Sequence, residues 1–550
     1  MKPNLYLLFV LAWICFCFDL SAVDLPKVFS DGMVLQRGMD TPIWGWGNPG
    51  DEVEVKFAEQ TLDGKVDEDG KWMLRFKPLI ASSESRKLTI QVGIDSVTLG
   101  DVVVGDVWMA SGQSNMGWKM AQCALRTKDA SLHPIADWVA EHKKSAKDSL
   151  LRRFAAPRST SYAKELTRLG GKIDPKYTTW IAADSEDKIN EFSGTAYFFG
   201  RELRREVGVP IGLLQTPWGG RKIQPFVPST TYKEHPTLAQ VYEDQLATME
   251  KRIKTFDPKK AQAKFHKDKA QWEVDAAAAK VNNKKVPRRP KWPFPPKENA
   301  NFPSTIYNAM VNPLVPYGIK GTIWYQGESN GADKSAAYTV YLEALITGWR
   351  ERWGQGDFSF YFSQLATFHQ PIPTPLRNHG MVTVNNNMRH TLHVKNTGMA
   401  VTNDIGDPTD IHPRNKVDVG KRLSLWALAK DYGKTDLVYS GPLYESHTLN
   451  DGIYTVTFSS AGSGLMVGRK KLLDPVKPVD ERLGGFQISD ANDNWKWAQA
   501  KIVGKNKIEA FHPDIPEPVE LRYAWAMNPS NANLYNKEGL PASVFSTLEP

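Results

Sequence analysis

Four short stretches hold residues whose types could carry out acyl transfer. Ser114 sits in VVVGDVWMASGQSNMGW at 102–118, where an apolar β-branched run stops abruptly at small and polar residues, so a hydroxyl stands where the chain must turn. A serine at a strand-to-turn junction points its oxygen off the sheet edge, and the backbone N–H groups that follow can face a developing oxyanion. TPWGGR at 216–221 puts Gly219 and Gly220 after another apolar run, where backbone N–H groups can approach a substrate closely. IWYQGESN at 323–330 brings Gln326 and Glu328, an amide and a carboxylate, after a third. DIGDPTDIHPRNK at 404–416 supplies His412 with Asp407 and Asp410 close by. Taken singly, each has a plainer reading: a tight turn, a solvated loop, or a structural histidine held by Pro413. Their common position at the ends of predicted strands favours one shared site.

The elements that must position these residues follow an α/β rhythm from about residue 102. VPIGLLQ at 209–215, IKGTIWYQ at 319–326 and MAVTNDIG at 399–406 read as buried parallel strands. YFFGRELRREVG at 197–208 and AAYTVYLEALITGWRERWG at 336–354 have apolar faces at helical spacing and end at glycine. Such a chain forms an open, mostly parallel sheet with its ligand site at the carboxyl ends of the strands. On either side the pattern is β. Residues 23–105 contain VEVKF at 53–57, KWMLRF at 71–76 and KLTIQV at 87–92, separated by turn signals, and fit a small sandwich. Trp44, Trp46 and Trp72 offer a sugar-stacking face there or, more simply, core packing. Beyond residue 436, GIYTVTFSS at 452–460, KIEAF at 507–511 and VELRYAW at 519–525 suit a second sandwich. The expected division is therefore 23–105, 106–435 and 436–550.

Residues 1–22 read as a signal peptide. Lys2 precedes an apolar run of fourteen residues from Leu5 to Phe18, and Ser21-Ala22 offers a cleavage site. That run falls short of the roughly 20 residues needed to span a bilayer, so export is expected and a membrane span is not. Of the three cysteines, Cys15 and Cys17 lie in the leader, so the mature chain keeps Cys123 alone and cannot form an internal disulfide. One thiol also argues against cysteine-ligated zinc or iron–sulfur chemistry, and Cys123 reads as a buried small residue. The net charge of +8 is local. Residues 250–300 hold 15 Lys+Arg against 6 Asp+Glu, within an insertion at about 230–303 that combines a helix-forming stretch with the proline-rich VPRRPKWPFPPKENANFP. A solvated arm is the simplest account, and contact with an acidic polysaccharide or a membrane surface is the alternative. An exported chain is not expected to meet nucleic acid.

The motifs GQSNM at 112–116, TPWGG at 216–220, WYQGESN at 324–330 and Asp-Ile-His-Pro at 410–413 resemble the sialate O-acetylesterase family of SGNH-type hydrolases, whose relatives include acetylxylan esterases. The resemblance extends through FSDGMVLQR at 29–37, WGWGNPGDEV at 44–53, RYAW at 522–525 and LYNKEGLPASVF at 534–545, and so covers nearly the whole mature chain. It implies a flavodoxin-like α/β hydrolase fold flanked by β-sandwich-like domains, and removal of O-acetyl groups from sugars. By motif, Ser114 is the nucleophile and His412 the base. The oxyanion donors would be the Ser114 N–H, a glycine of the Gly219-Gly220 pair, and the Gln326 side chain. No metal or cofactor is implied.

Two departures from the family pattern matter. Many relatives place aspartate three residues before the histidine, whereas position 409 is threonine here and Asp410 stands two before. Asp410 is the first choice to orient His412, with Asp407 and Glu328 as rivals. The family's Gly-Gly-Thr is Gly219-Gly220-Arg221 here, and Arg221 could pair with a sialate or uronate carboxylate or lie in a surface salt bridge. Asn115 and Arg221 are the candidate substrate contacts. The expected substrate is an O-acetylated sugar or polysaccharide, a sialate by family label and an acetylated xylan by the same chemistry. A non-catalytic glycan-binding protein is the alternative from another class, and it has no need of a nucleophile, base and oxyanion donors together.

Overall fold

The computed structural model describes residues 23–548, apart from 163, 172–177, 332–336 and 376–379. The leader assigned to 1–22 lies outside the described residues. The central element is a strand of 18 residues, β1 (Asp95–Gly112). Its first half pairs antiparallel with Ser82–Val92, which continues into a ladder with Glu52–Phe57 and Gln60–Lys65. Val34–Gln36 adds in parallel at Val103–Gly105, and Thr41–Trp46 pairs with Lys71–Phe76 in a separate ribbon.

From Asp106 onward the same strand becomes the middle of a second, mostly parallel sheet. It is flanked there by β2 (Asp148–Ala155), β3 (Ile181–Ala183), β4 (Ile211–Gln215), β5 (Gly321–Tyr325), β6 (Ser359–Ser363) and β7 (Thr397–Ala400), in the spatial order β7-β6-β5-β1-β4-β2-β3. All these pairs are parallel except the edge pair β2–β3. The predicted strands at 209–215 and 319–326 are trimmed by their turns. Of MAVTNDIG, only Met399 and Ala400 lie in a strand, because Asn403 and Asp404 open the loop that leads to His412.

Every residue of β1 from Val102 to Gly112 is buried, as its apolar runs on either side of Gly105-Asp106 require of a strand covered on both faces, and the buried Asp106 is paired with Arg37 and Gln36. A one-turn helix α1 (Ser114–Gly117) follows it directly. On one face α2 (Gly194–Val207) packs along the helix of residues 416–430, and Phe199 meets the edge of the Trp108 ring at 5.0 Å. Ser193 caps α2 through the Ala196 N–H, and Gly208 ends it at φ +77°. The basic insertion forms α3 (Ala239–Thr255) and α4 (Pro258–Val281). On the opposite face α5 (Tyr338–Trp353) sets Trp349 against Trp324 of β5. The helix packed along α2 is α6 (Lys416–Lys430), capped by Asn415.

The N-terminal strands and the central sheet share one buried apolar cluster, and β1 runs unbroken through residue 105, where the sequence sets a boundary. Trp44 and Trp72 belong to that core, and Trp46 lies under the Arg168 guanidinium at 3.7 Å. The C-terminal part holds small antiparallel sheets around a second cluster that includes Phe458, Phe486, Ile508 and Phe545. Among the described residues no helix is long and apolar enough to cross a membrane.

The arm packs largely on itself. Trp272 of α4 donates to the Pro287 carbonyl at 2.8 Å, and Trp292 meets Phe265 edge-on at 5.0 Å, so the proline-rich return is pinned to the arm's own helix. Its root lies beside the loop after β4, where Ser304 N–H donates to the Gln224 carbonyl at 3.2 Å.

Candidate active site

The carboxyl ends of β1, β4 and β5, and the loop after β7, converge on Ser114. At the end of β1 the chain turns through Gly112, whose φ of +132° is one an L side chain rarely adopts. A Cβ there would lie 2.2 Å from the Tyr325 carbonyl oxygen, so the close approach to β5 also requires glycine. Gln113 N–H donates to that carbonyl at 2.9 Å, and Trp218 N–H donates to Gly112 O at 2.9 Å, which ties three strand ends together. Ser114 is then the first residue of α1, a position whose N–H has no partner within the helix. Gly219 lies against it: a Cβ on Gly219 would fall 3.3 Å from Ser114 Cβ, a tight contact that the serine could meet only by shifting a few tenths of an ångström.

His412 Nε2 lies 2.8 Å from Ser114 Oγ. On the ring's other side, Nδ1 is 3.2 Å from Asp410 Oδ1, which also accepts the His412 backbone N–H at 2.9 Å. The Trp118 indole stacks on the imidazole, with centroids 4.7 Å apart and planes at 13°. Arg414 completes the cage. Its Nη1 donates to Asp410 Oδ2 at 2.6 Å and to the His412 carbonyl at 2.8 Å, its Nε donates to Leu125 O, and its guanidinium lies 4.7 Å from the Trp118 ring.

The electrostatics follow from this packing. Burial, then the nearby Lys416 charge, push the His412 imidazole below its ordinary value, although Asp410 opposes them. Burial pushes the Asp410 carboxyl up, but the Arg414 hydrogen bond and the His412 amide outweigh it and hold the group below the ordinary carboxylate value. A neutral imidazole facing a hydroxyl, backed by an ionised carboxylate, can accept the hydroxyl proton when the oxygen attacks a carbonyl.

Comparison with known proteins agrees with this chemistry. Residues 296–428 match the carbohydrate esterase family described as sialic acid-specific acetylesterase. The mouse sialate O-acetylesterase (Mus musculus) is 27% identical over 552 residues, which span 93% of this chain and 92% of the relative. The human one (Homo sapiens) is 26% identical over 574 residues, spanning 94% and 91%. The crystal structure of a carbohydrate acetylesterase from Xanthomonas citri is 31% identical and superposes with a TM-score of 0.73, covering 96% of this chain and 99% of that one. The chain belongs to the sialate O-acetylesterase family of carbohydrate esterases. It is a carbohydrate O-acetylesterase.

Several residues of this esterase sit differently from the sequence expectation. The Gln326 side chain is fully buried and its two N–H groups are taken up, with Nε2 in hydrogen-bond range of Gln113 Oε1, Arg221 O and Asn330 Oδ1 and Oε1 accepting from Tyr338, which leaves it no free N–H to offer an oxyanion. It braces the loops around the site instead. Asn115 is not a substrate contact either. It is 1% exposed, and its amide is bonded to Glu328, to the Ile411 carbonyl and to Lys416. Glu328 thus meets Asn115 rather than His412, and burial, partly offset by the Asn115 bond, raises its carboxyl. Asp407 turns into its own loop, accepting Thr409 N–H and Oγ1, both at 2.8 Å. Among the three carboxylates, Asp410 is the one in contact with the imidazole.

Arg221 is half-buried, with its guanidinium 5.0 Å from the Trp218 ring and its Nε buried without a hydrogen-bond partner among the described residues. Burial and the Arg158 charge both lower its proton affinity. Gly220 adopts φ +70° with open space around its Cα. Cys123 is fully buried, and burial pushes its thiol up to about 11. Sequence reasoning missed Trp118, Arg414 and Lys416. The positions of the first two, Trp118 two residues beyond GQSNM and Arg414 directly beyond Asp-Ile-His-Pro, were the available signal.

Proposed function

We propose that this esterase acts through an acetyl-enzyme on Ser114, with His412 as general base and Asp410 as the group that orients and charges the imidazole. The observation that carries the proposal is the 2.8 Å contact of His412 Nε2 with Ser114 Oγ, with Asp410 on the opposite ring nitrogen. His412 takes the Ser114 proton as Oγ bonds to the acetyl carbonyl carbon. The tetrahedral oxyanion is held by the N–H groups of Ser114 and Gly219, which belong to one turn and one loop in contact. Collapse breaks the bond to the sugar oxygen, which leaves with the imidazolium proton. Water then attacks the acetyl group, gives its proton to His412, and the Ser114–acetyl bond breaks with return of that proton to Ser114 Oγ. This scheme calls on no metal or cofactor.

The substrate class that this reading favours is an O-acetylated acidic sugar of the sialate type. Support comes from the sialate O-acetylesterases aligned over most of the chain and from Arg221, a half-buried cation on the loop that carries Gly219. A flavodoxin-like SGNH organisation of residues 106–435, β-rich segments at 23–105 and 436–550, and export after removal of 1–22 complete the proposal.

Two assays test it. Ser114→Ala should abolish release of nitrophenol from p-nitrophenyl acetate, and retention of wild-type turnover would end the serine mechanism. Acetate release from a panel of O-acetylated sialosides, acetylxylan and acetylated pectin tests the substrate. The reading requires sialosides to give the highest kcat/KM, and a preference for neutral xylan would replace it with polysaccharide deacetylation.

A further inference from the structure

Lys416 occupies a costly position. It is the first residue of α6, its side chain is fully buried, and a cation at a helix N-terminus meets the positive end of the helix dipole. Burial lowers its ammonium to about 8, despite nearby negative charge from Glu328. An aliphatic side chain would fill the site without these penalties, so the charge itself calls for an explanation.

Its hydrogen bond supplies one. Lys416 Nζ donates to Asn115 Oδ1 at 2.6 Å and lies 5.4 Å from the Tyr325 ring. With Oδ1 fixed on the ammonium, Asn115 Nδ2 faces Glu328 Oε1 and the Ile411 carbonyl, the latter at 3.0 Å. The reversed amide would set its oxygen against that carboxylate and that carbonyl, so the cation selects the one orientation that binds both. Asn115 directly follows Ser114, and Ile411 directly precedes His412. One side chain therefore ties the serine turn to the histidine loop.

We infer that Lys416 is a positioning residue for the esterase reaction, acting through Asn115 to hold Ser114 and His412 at proton-transfer distance. The inference rests on the assignment of Ser114 and His412 above. It predicts that Lys416→Met lowers kcat on p-nitrophenyl acetate by about 10²-fold while KM stays within about threefold, because misplacement by an ångström costs rate rather than binding of a small ester. The groups around His412 are Asp410 and Arg414 on its own loop and Lys416 on α6, with Trp118 on its face. Losing the Lys416 charge leaves Asp410 and Arg414 in place, so the acid limb of kcat/KM should move upward, toward the ordinary imidazole value.

A double-mutant cycle separates positioning from mere stability. In an Asn115→Ala background, Lys416→Met should change kcat by less than about threefold, since the path it acts through is already cut. Lys416→Met with Glu328→Gln removes both buried charges together. That variant should melt at or above the wild-type temperature and still be slow. The inference is overturned if Lys416→Met keeps kcat within threefold, if its loss follows the unfolded fraction with an unmoved acid limb, or if the Asn115 and Lys416 effects multiply. Activity in Ser114→Ala would instead remove the assignment on which it rests.

Discussion

Asp410→Asn makes the proposed triad quantitative, because Arg414 competes with His412 for the new amide oxygen. In the wild type both carboxylate oxygens are engaged, Oδ1 by His412 N–H and Nδ1 and Oδ2 by Arg414 Nη1 at 2.6 Å. An asparagine has one oxygen for these donors. A hydrogen bond to the charged Arg414 contributes about 1.5–3 kcal/mol and the two neutral His412 donors about 0.5–1.5 each, so the amide oxygen divides between the original orientation and one turned to Arg414 with the NH₂ group facing His412. This near balance leaves roughly half of the molecules with the original orientation. In the turned form Nδ1 must accept, which places the ring proton on Nε2, opposite Ser114 Oγ, where no proton can be taken up. The remaining molecules lack the carboxylate that stabilises the imidazolium, a loss of about 3 kcal/mol after allowing for its partial exposure, or roughly 10²-fold. Together these give about 3 × 10²-fold in kcat. The assay is initial-rate hydrolysis of p-nitrophenyl acetate at pH 7.5, with ¹⁵N spectra of the imidazole to read the tautomer. A variant within tenfold of wild type, or one that keeps the proton entirely on Nδ1, refutes the reasoning.

The acid limb of kcat/KM should fall at a pH below 6.5, because burial and Lys416 lower the proton affinity of His412 and activity is lost as the ring gains its proton; a midpoint above 6.5 contradicts this. Gly219→Ala and Gly220→Ala should separate rate from stability. The first, whose Cβ would crowd Ser114 Cβ at 3.3 Å, should lose about 10–10² in kcat with a near-normal denaturation midpoint. The second has open space but φ +70°, and should lose about 1 kcal/mol of stability with a smaller effect on rate; equal behaviour of the two would remove Gly219 from the oxyanion site. Replacing Arg288, Arg289, Lys291 and Lys297 with glutamine should lower kcat/KM on acidic acetylated glycans by about 3–10-fold and flatten its salt dependence, with p-nitrophenyl acetate unaffected. Equal kinetics on acidic and neutral polymers would make the arm a structural hairpin.

The strand ends that carry the site were legible because each combines a buried run with an abrupt change to small or polar residues. Ser114, Gly219 and the 323–330 motif sit at those breaks, and the structure brings all three strand ends together. Other elements were hidden by their own chemistry. The sequence DSLLRRFA of β2 carries Arg152 and Arg153 where a parallel strand should be apolar. Arg152 is accommodated by donating to the carbonyls of Gly32 and Asp101 and to the Asp101 carboxylate, partners about 50 and 120 residues away that no local pattern reveals. The boundary at 105 was drawn where composition changes, yet β1 continues through it, because one strand can serve an antiparallel ladder at one end and a parallel sheet at the other.

The polar residues around Ser114 were misread for a different reason, which bears on how the site works. Gln326 and Asn115 have the side chains expected of substrate-facing donors, and sequence records the side chain but not the direction of its amide. Direction is fixed by partners. Gln326 is turned inward by Gln113, Arg221 and Asn330, and Asn115 by Lys416 and Glu328. The residues that complete the Asp410–His412 contact, Arg414 and Trp118, likewise lie almost 300 positions apart and meet only in the fold. Their arrangement has a common logic. In the proposed mechanism the stretch from Asp410 to Lys416 supplies an orienting carboxylate, a base and two cations within seven residues, and α6 begins at its last member. Packing α6 against α2 therefore places His412, the Asp410–Arg414 pair and Lys416 in one step, while β1 independently places Ser114 and Asn115. The hydrogen bonds from Asn115 to Ile411 and from Lys416 to Asn115 join these two units across the reacting atoms. In the proposed mechanism, local slippage of the start of α6 would separate base from nucleophile without disturbing either core, and preventing it is the role inferred for the buried Lys416 at that joint.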